Sequence, residues 1–179
     1  MKKLLAVIIL CFVLLSAVSC GDGETIDTSD LVHYYQLGIY YSLPSDFEGR
    51  NLPYGDLTYS NGDAYFFFNA FDESTLTEDM LLPPDITPKE YTETYILFLE
   101  NKVDDPDFKI PYKYEDSTDS TLFEYVFDYD DGESESEYYK HMVIRGEAYF
   151  YHVTLSCYED DIEKYEDLFD VIMNSVKVD

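Results

Sequence analysis

Residues 64–68 read Ala-Tyr-Phe-Phe-Phe, a β-prone run without one polar position. Successive side chains of a strand point to opposite sides of the pleat, so a strand with one wet face alternates apolar and polar residues. A strand that does not alternate is covered on both faces. This run therefore demands a sheet in the middle of the molecule with a further layer above and below it. Just before it, Tyr59-Ser60-Asn61-Gly62-Asp63-Ala64 sets Asn-Gly between two β-prone runs. Both turn residues tolerate positive φ, which predicts a hairpin with strands over 56–60 and 64–71.

The covering layers are also legible. Thr87-Pro88-Lys89-Glu90 supplies a capping residue, proline at the first helical position and glutamate three residues after the cap. It predicts a helix over 88–102 with Tyr91, Tyr95, Phe98 and Leu99 on one face. A second helix is expected after Asp160 or Asp161, carrying Ile162, Tyr165, Phe169, Ile172 and Met173 at three- and four-residue spacings. Between the helices, β-prone runs at 109–114, 121–129, 138–145 and 148–157 are separated by acidic or glycine-containing breaks, the pattern of an antiparallel meander. A first strand is expected at 37–43, closed by Pro44, and a last edge strand at 175–178. The fold class is α+β: an antiparallel β-sheet of about six to seven strands with amphipathic helices packed on both faces.

The chain begins with Lys2-Lys3, an unbroken apolar run over 4–15, and Ser16-Ala17-Val18-Ser19 before Cys20. This is the three-part layout of an export signal, and the run is too short to span a bilayer that needs about 20 apolar residues. Ala17-Val18-Ser19-Cys20 resembles the bacterial lipobox, in which the cysteine is acylated and becomes the new N-terminus. The expected organisation is a signal peptide over 1–19, a lipidated Cys20 and flexible tether over 20–33, and one globular domain over 34–179. The polar stretch 21–30 is the part of the tether that most plainly lacks a packing face.

Residues 1–19 hold two lysines and no acid, so the other 160 residues carry 9 basic against 38 acidic side chains, a formal charge of −29. Such a chain lacks the clustered cations that nucleic-acid binding requires, and nucleic acid is excluded as a partner. Twelve Phe and 19 Tyr supply enough buriable surface to fold despite the charge. With Cys11 in the signal and Cys20 at the lipid site, Cys157 is left alone on a strand-like run and is expected as a small buried residue.

Three constellations bear on chemistry. If Gly146-Glu147 forms a two-residue turn, paired residue numbers sum to 293, and His141 sits directly opposite His152 on the same face. That pair admits three readings: half of a zinc or copper site, a pH switch, or a structural cross-strand pair. Asp128, Asp130 and Asp131 open an acidic stretch over 128–137 rich in oxygen ligands, which reads as a solvated hairpin tip, a weak calcium site or a docking site for a basic partner; its glycine and glutamate spacing is not that of an EF-hand. Tyr34, Tyr35, Tyr40, Tyr41, Tyr138, Tyr139, Tyr149 and Tyr151 either divide between core and sheet surface or line a groove. His33 lies beside the tether, and no nucleophile motif accompanies any histidine.

The opening Leu37-Gly38-Ile39-Tyr40-Tyr41-Ser42-Leu43-Pro44-Ser45-Asp46-Phe47 and the ending Leu168-Phe169-Asp170-Val171-Ile172-Met173-Asn174-Ser175-Val176-Lys177 resemble the PsbP-like superfamily, named for the extrinsic photosystem subunit and including bacterial lipoproteins. The resemblance covers nearly all of 34–179. It implies a PsbP-like sandwich and a binding or accessory module rather than an enzyme. The expectation is a noncatalytic module without a resident cofactor, tethered to the membrane by its N-terminal lipid and engaging an envelope protein or a small ligand. The alternatives are an acidic calcium- or cation-binding surface module, and an enzyme with an unrecognised carboxylate site.

Overall fold

The computed structural model describes residues 30–50, 55–102, 109–116, 119–127 and 135–179, with the backbone alone for 100–102 and 109–116. Ten strands and two helices follow one another as β1 (Leu31–Gln36), β2 (Ile39–Pro44), β3 (Glu48–Arg50), β4 (Leu57–Ser60), β5 (Ala64–Phe71), α1 (Pro88–Lys102), β6 (Lys109–Asp116), β7 (Ser120–Phe127), β8 (Glu137–Arg145), β9 (Phe150–Tyr158), α2 (Ile162–Ser175) and β10 (Lys177–Val178). A seven-stranded sheet runs in the order β3-β4-β5-β9-β8-β7-β6, and a small sheet in the order β1-β2-β10. The pairing is antiparallel wherever strands meet in either sheet. The α+β class, the large antiparallel sheet and a helix on each of its faces are as expected.

The unalternating run over 64–68 lies in β5, whose central partner is β9. Ala64, Phe66 and Phe68 point to one face and are fully buried there with Val153, Leu155 and Cys157 of β9. Against this face pack Ile39, Tyr41 and Leu43 of the small sheet and Tyr165, Phe169, Ile172 and Met173 of α2. Lys140 of β8 is buried on the same face, bonded to Asp170 of α2 and 3.6 Å from Glu124 of β7, so an ion cluster fastens the helix to the sheet. On the opposite face Phe123, Tyr125, Val143 and Phe150 meet Tyr91 of α1 together with Leu76 and Ile86.

The start of α1 is fixed by a reciprocal cap. The Glu90 carboxylate accepts from the Thr87 backbone N–H at 2.9 Å and from its hydroxyl at 2.8 Å, while the Glu90 N–H donates to Thr87 Oγ1 at 3.2 Å. These bonds hold the Glu90 carboxyl below its ordinary range. The buried stripe of α1 centres on Tyr91, Thr92, Tyr95 and Leu99. Phe98, expected on that stripe, is 52% exposed, because about 100° of helical rotation separates it from Leu99. Asp161 stands at the cap position of α2 but makes no side-chain cap bond.

Two turns differ from expectation. The first strand begins at Leu31 rather than 37, so 31–33 belong to a strand and not to the tether. Leu37-Gly38 is the turn between β1 and β2, with φ of 52° and 80° and Gln36 paired to Ile39. A leucine at positive φ is not a turn signal, which is why the sequence concealed this hairpin. In the β4–β5 hairpin only Gly62 has positive φ, 105°. Asn61 serves as an acceptor instead, its Oδ1 receiving the Asp63 and Ala64 N–H groups at 3.2 and 2.9 Å.

Candidate functional site

Inward positions of β5, β9, β8 and β7 form a row beneath α1. His141 pairs with Thr154 on one side and Phe123 on the other, and Phe67 pairs with Thr154 beyond it, so the four lie in one row on one surface. His152 pairs with Val143, not with His141. The expected two-residue turn at Gly146-Glu147 is corrected to a four-residue loop: Arg145 pairs with Phe150, and the Gly146 N–H donates to the Tyr149 carbonyl at 2.9 Å. A two-residue turn needs positive φ at Gly146 at least, and nothing in this loop adopts it. The paired numbers sum to 295. The change of two keeps both histidines on one face but turns a direct pair into a diagonal one.

The diagonal brings the rings together. His152 Nε2 lies 2.8 Å from His141 Nδ1, which also stands 2.9 Å from Thr154 Oγ1. His141 Nε2 meets the Tyr125 hydroxyl at 3.3 Å, and His152 Nδ1 meets the Tyr91 hydroxyl at 3.3 Å. Burial raises the pKa of the Tyr95 hydroxyl, and the nearby Tyr125 partly offsets the rise. The His141 ring lies near-parallel to two neighbouring aromatics, Phe123 at 4.7 Å and 13° and Tyr125 at 5.3 Å and 12°. Tyr95 meets His152 edge-on at 4.8 Å and 87°.

Burial of both rings favours the uncharged imidazole. The pKa of His152 falls from 6.5 to about 4 through desolvation, and that of His141 falls well below 6.5 through desolvation and the neighbouring His152. Each ring nitrogen is within hydrogen-bond reach of a partner. Among the described residues, no third histidine, cysteine or carboxylate stands with the pair to complete a metal shell.

Above the pair, a cavity of about 400 Å³ opens between α1 and the sheet, lined by twelve of the described residues. Tyr91, Tyr95 and Leu99 come from α1, Phe67, Asn69 and Phe71 from β5, and Tyr125, Phe127 and Tyr139 from β7 and β8, with His141, His152 and Thr154 as the floor. With 27% of the chain charged, twelve residues taken at random would include about three charges; the described residues of this lining include none.

The remaining candidates are dispersed. Cys20, Asp128, Asp130 and Asp131 lie outside the described residues. His33 bonds Ser42 Oγ at 2.8 Å on the small sheet. Cys157 is buried, and desolvation pushes its thiol up to about 12. Of the eight tyrosines considered for a groove, Tyr41, Tyr138 and Tyr151 are buried, Tyr35 and Tyr40 are exposed, and only Tyr139 reaches the cavity. Sequence reasoning overlooked Asn69, Tyr125 and Thr154. The period of two that joins Phe123, Tyr125 and Phe127 was the signal available for the second of these.

No protein-family model and no curated protein matches the chain by sequence. Its fold is found in solved structures. The solution structure of cyanobacterial PsbP from Synechocystis sp. PCC 6803 superposes with a TM-score of 0.59 at 16% identity, over 90% of this chain and 98% of that one. The Saccharomyces cerevisiae Ran-binding protein Mog1p gives 0.55 at 8% identity, over 83% and 96%. LpqN of Mycobacterium tuberculosis, described as involved in cell envelope biogenesis, gives 0.51 at 14% identity, over 83% and 88%. The domain has the PsbP-like fold. The neighbours' differing descriptions leave function to be argued from the site.

Proposed function

We propose that the chain is a noncatalytic binding module of the bacterial cell envelope, working outside the cytoplasm and anchored by lipid on Cys20, and that the cavity beneath α1 takes a small ligand. The charge-free aromatic lining carries this reading. Small-molecule sites are concave, mostly apolar, and 300–1,000 Å³ in volume, with a few convergent polar groups. The cavity of about 400 Å³ with its histidine, threonine and tyrosine floor has that form.

Two neutral imidazoles engaged with each other favour holding a ligand over transferring a proton to it. The export-like start and Cys20 support the address. Among the described residues, no helix is long and apolar enough to cross a membrane.

Thermal unfolding of the purified chain across a small-molecule library tests the site. A ligand at 100 times its dissociation constant adds about 2.7 kcal/mol, or roughly 5–10 °C for a domain of this size. A blank library counts against the cavity and favours a protein partner. Mass spectrometry of membrane-extracted protein tests the address: an unmodified Cys20 removes it.

A further inference from the structure

Along the cavity runs an unbroken line of four groups, Tyr91, His152, His141 and Tyr125, joined by three hydrogen bonds. A neutral imidazole has one N–H and one acceptor nitrogen, and a phenol has one O–H and acceptor lone pairs. The Tyr91 hydroxyl at the end of the line therefore has a hydrogen to offer when His152 donates to it, and lone pairs alone when it donates to His152. The line has two senses. With both histidines protonated on Nδ1, His152 donates to Tyr91, His141 donates to His152, and Tyr125 donates to His141. With both protonated on Nε2, every bond reverses. Thr154 Oγ1, at 2.9 Å from His141 Nδ1, accepts in the first case and donates in the second.

The geometry points to an uncharged ring compound bearing one carbonyl, amide or hydroxyl group as the ligand of this cavity, its ring against the aromatic walls and its polar group completing the tyrosine–histidine line. The inference rests on the cavity being a binding site and adds the chemistry of the occupant. A carboxylate or phosphate would enter a chain of net charge −27 and find no lysine or arginine among the described residues of the lining. An ammonium would lose its hydration and find no carboxylate among those residues. An uncharged ring incurs neither penalty, and the reversible line offers it a donor or an acceptor as its polar group requires.

The test titrates three compounds that share a phenyl ring, benzamide (uncharged), benzoate (anion) and benzylamine (protonated at pH 7), into the full chain labelled with ¹⁵N-histidine. Benzamide is expected to bind at least tenfold more tightly than either charged compound, and to shift the Nδ1–H and Nε2–H tautomer populations of His141 and His152 in the same direction. Benzoate or benzylamine binding as tightly as benzamide overturns the assignment of the occupant while leaving the cavity a binding site. Tautomers that move in opposite directions overturn the reversible line. If none of the three binds, the inference falls; if the library is blank as well, the binding reading falls with it.

Discussion

His152 Nε2 lies 2.8 Å from His141 Nδ1, although the strands pair His141 with Thr154 and His152 with Val143. Diagonal neighbours on one face of an antiparallel pair stand farther apart than direct ones, and only long or flat side chains bridge them. Two imidazoles do so here under the cover of Tyr91 and Tyr95, and the consequences of that contact can be measured.

The pair makes stability depend on pH with a definite sign. The folded pKa of His152 is about 4 against an unfolded 6.5, and desolvation and the neighbouring His152 hold that of His141 well below 6.5. Below 6.5 the unfolded chain binds protons that the native chain does not, so stability falls as pH drops, and the His152 share of the loss levels off near 4. The expected slope is up to about 1.4 kcal/mol per pH unit for each histidine. Urea unfolding at pH 7, 6 and 5 measures it, and His152→Gln is expected to remove about half of the slope. An unchanged slope in that variant contradicts an uncharged buried ring.

Lys140 is expected to show the asymmetry of a buried ion cluster. Its side chain is 2% exposed, against 14% for Glu124 and 48% for Asp170. Lys140→Ala strands the Glu124 carboxylate in the sheet and should cost about 3–5 kcal/mol. Lys140→Met with Glu124→Gln replaces the buried charges together and should cost clearly less in the same denaturant titration.

The turn into β2 sets a different constraint. A Cβ on Gly38 would come within 2.7 Å of Tyr151 Oη, whose hydroxyl donates to the Leu37 carbonyl at 2.6 Å. A Cβ on Gly62 would meet nothing within 4 Å. Both glycines have positive φ, so each alanine variant should lose about 1–2 kcal/mol to backbone strain. Gly38→Ala is expected to lose more, measured by the difference in Tm between the two.

The Cys157 thiol, raised to about 12 and buried, is expected to be inert in the native state. In a chain with Cys11→Ser and Cys20→Ser, Ellman's reagent should react only when denaturant unfolds the domain. Rapid native labelling would show that β9 is more open than its burial implies.

Much of this architecture was legible because the signals were local. The cap at Thr87 and Glu90 fixed α1 to the residue, and the unalternating run at 64–68 announced a sheet covered on both faces. What escaped depended on contacts between distant segments. The Leu37-Gly38 turn carries no standard turn residue at its first position. The β8–β9 loop gains two residues over the shortest hairpin, while Arg145 at its base donates to the carbonyls of Ile86 and Pro84. That change moved the histidines from opposite to diagonal without changing their face, so the meeting of the two rings was legible although its register was not. The cavity itself was invisible, because its walls are contributed by α1, β5, β7, β8 and β9, and no single stretch of sequence carries it.

The most direct test of the cavity as a ligand site compares the chain with its Leu99→Trp variant, in which a larger side chain from α1 fills the space above the histidines. Each is unfolded by heat in the presence of the best-stabilising compounds from the library. The account requires a compound that raises the Tm of the parent chain by several degrees and leaves the variant within error of its own ligand-free value. Equal shifts in both proteins would place the binding elsewhere on the domain and contradict it.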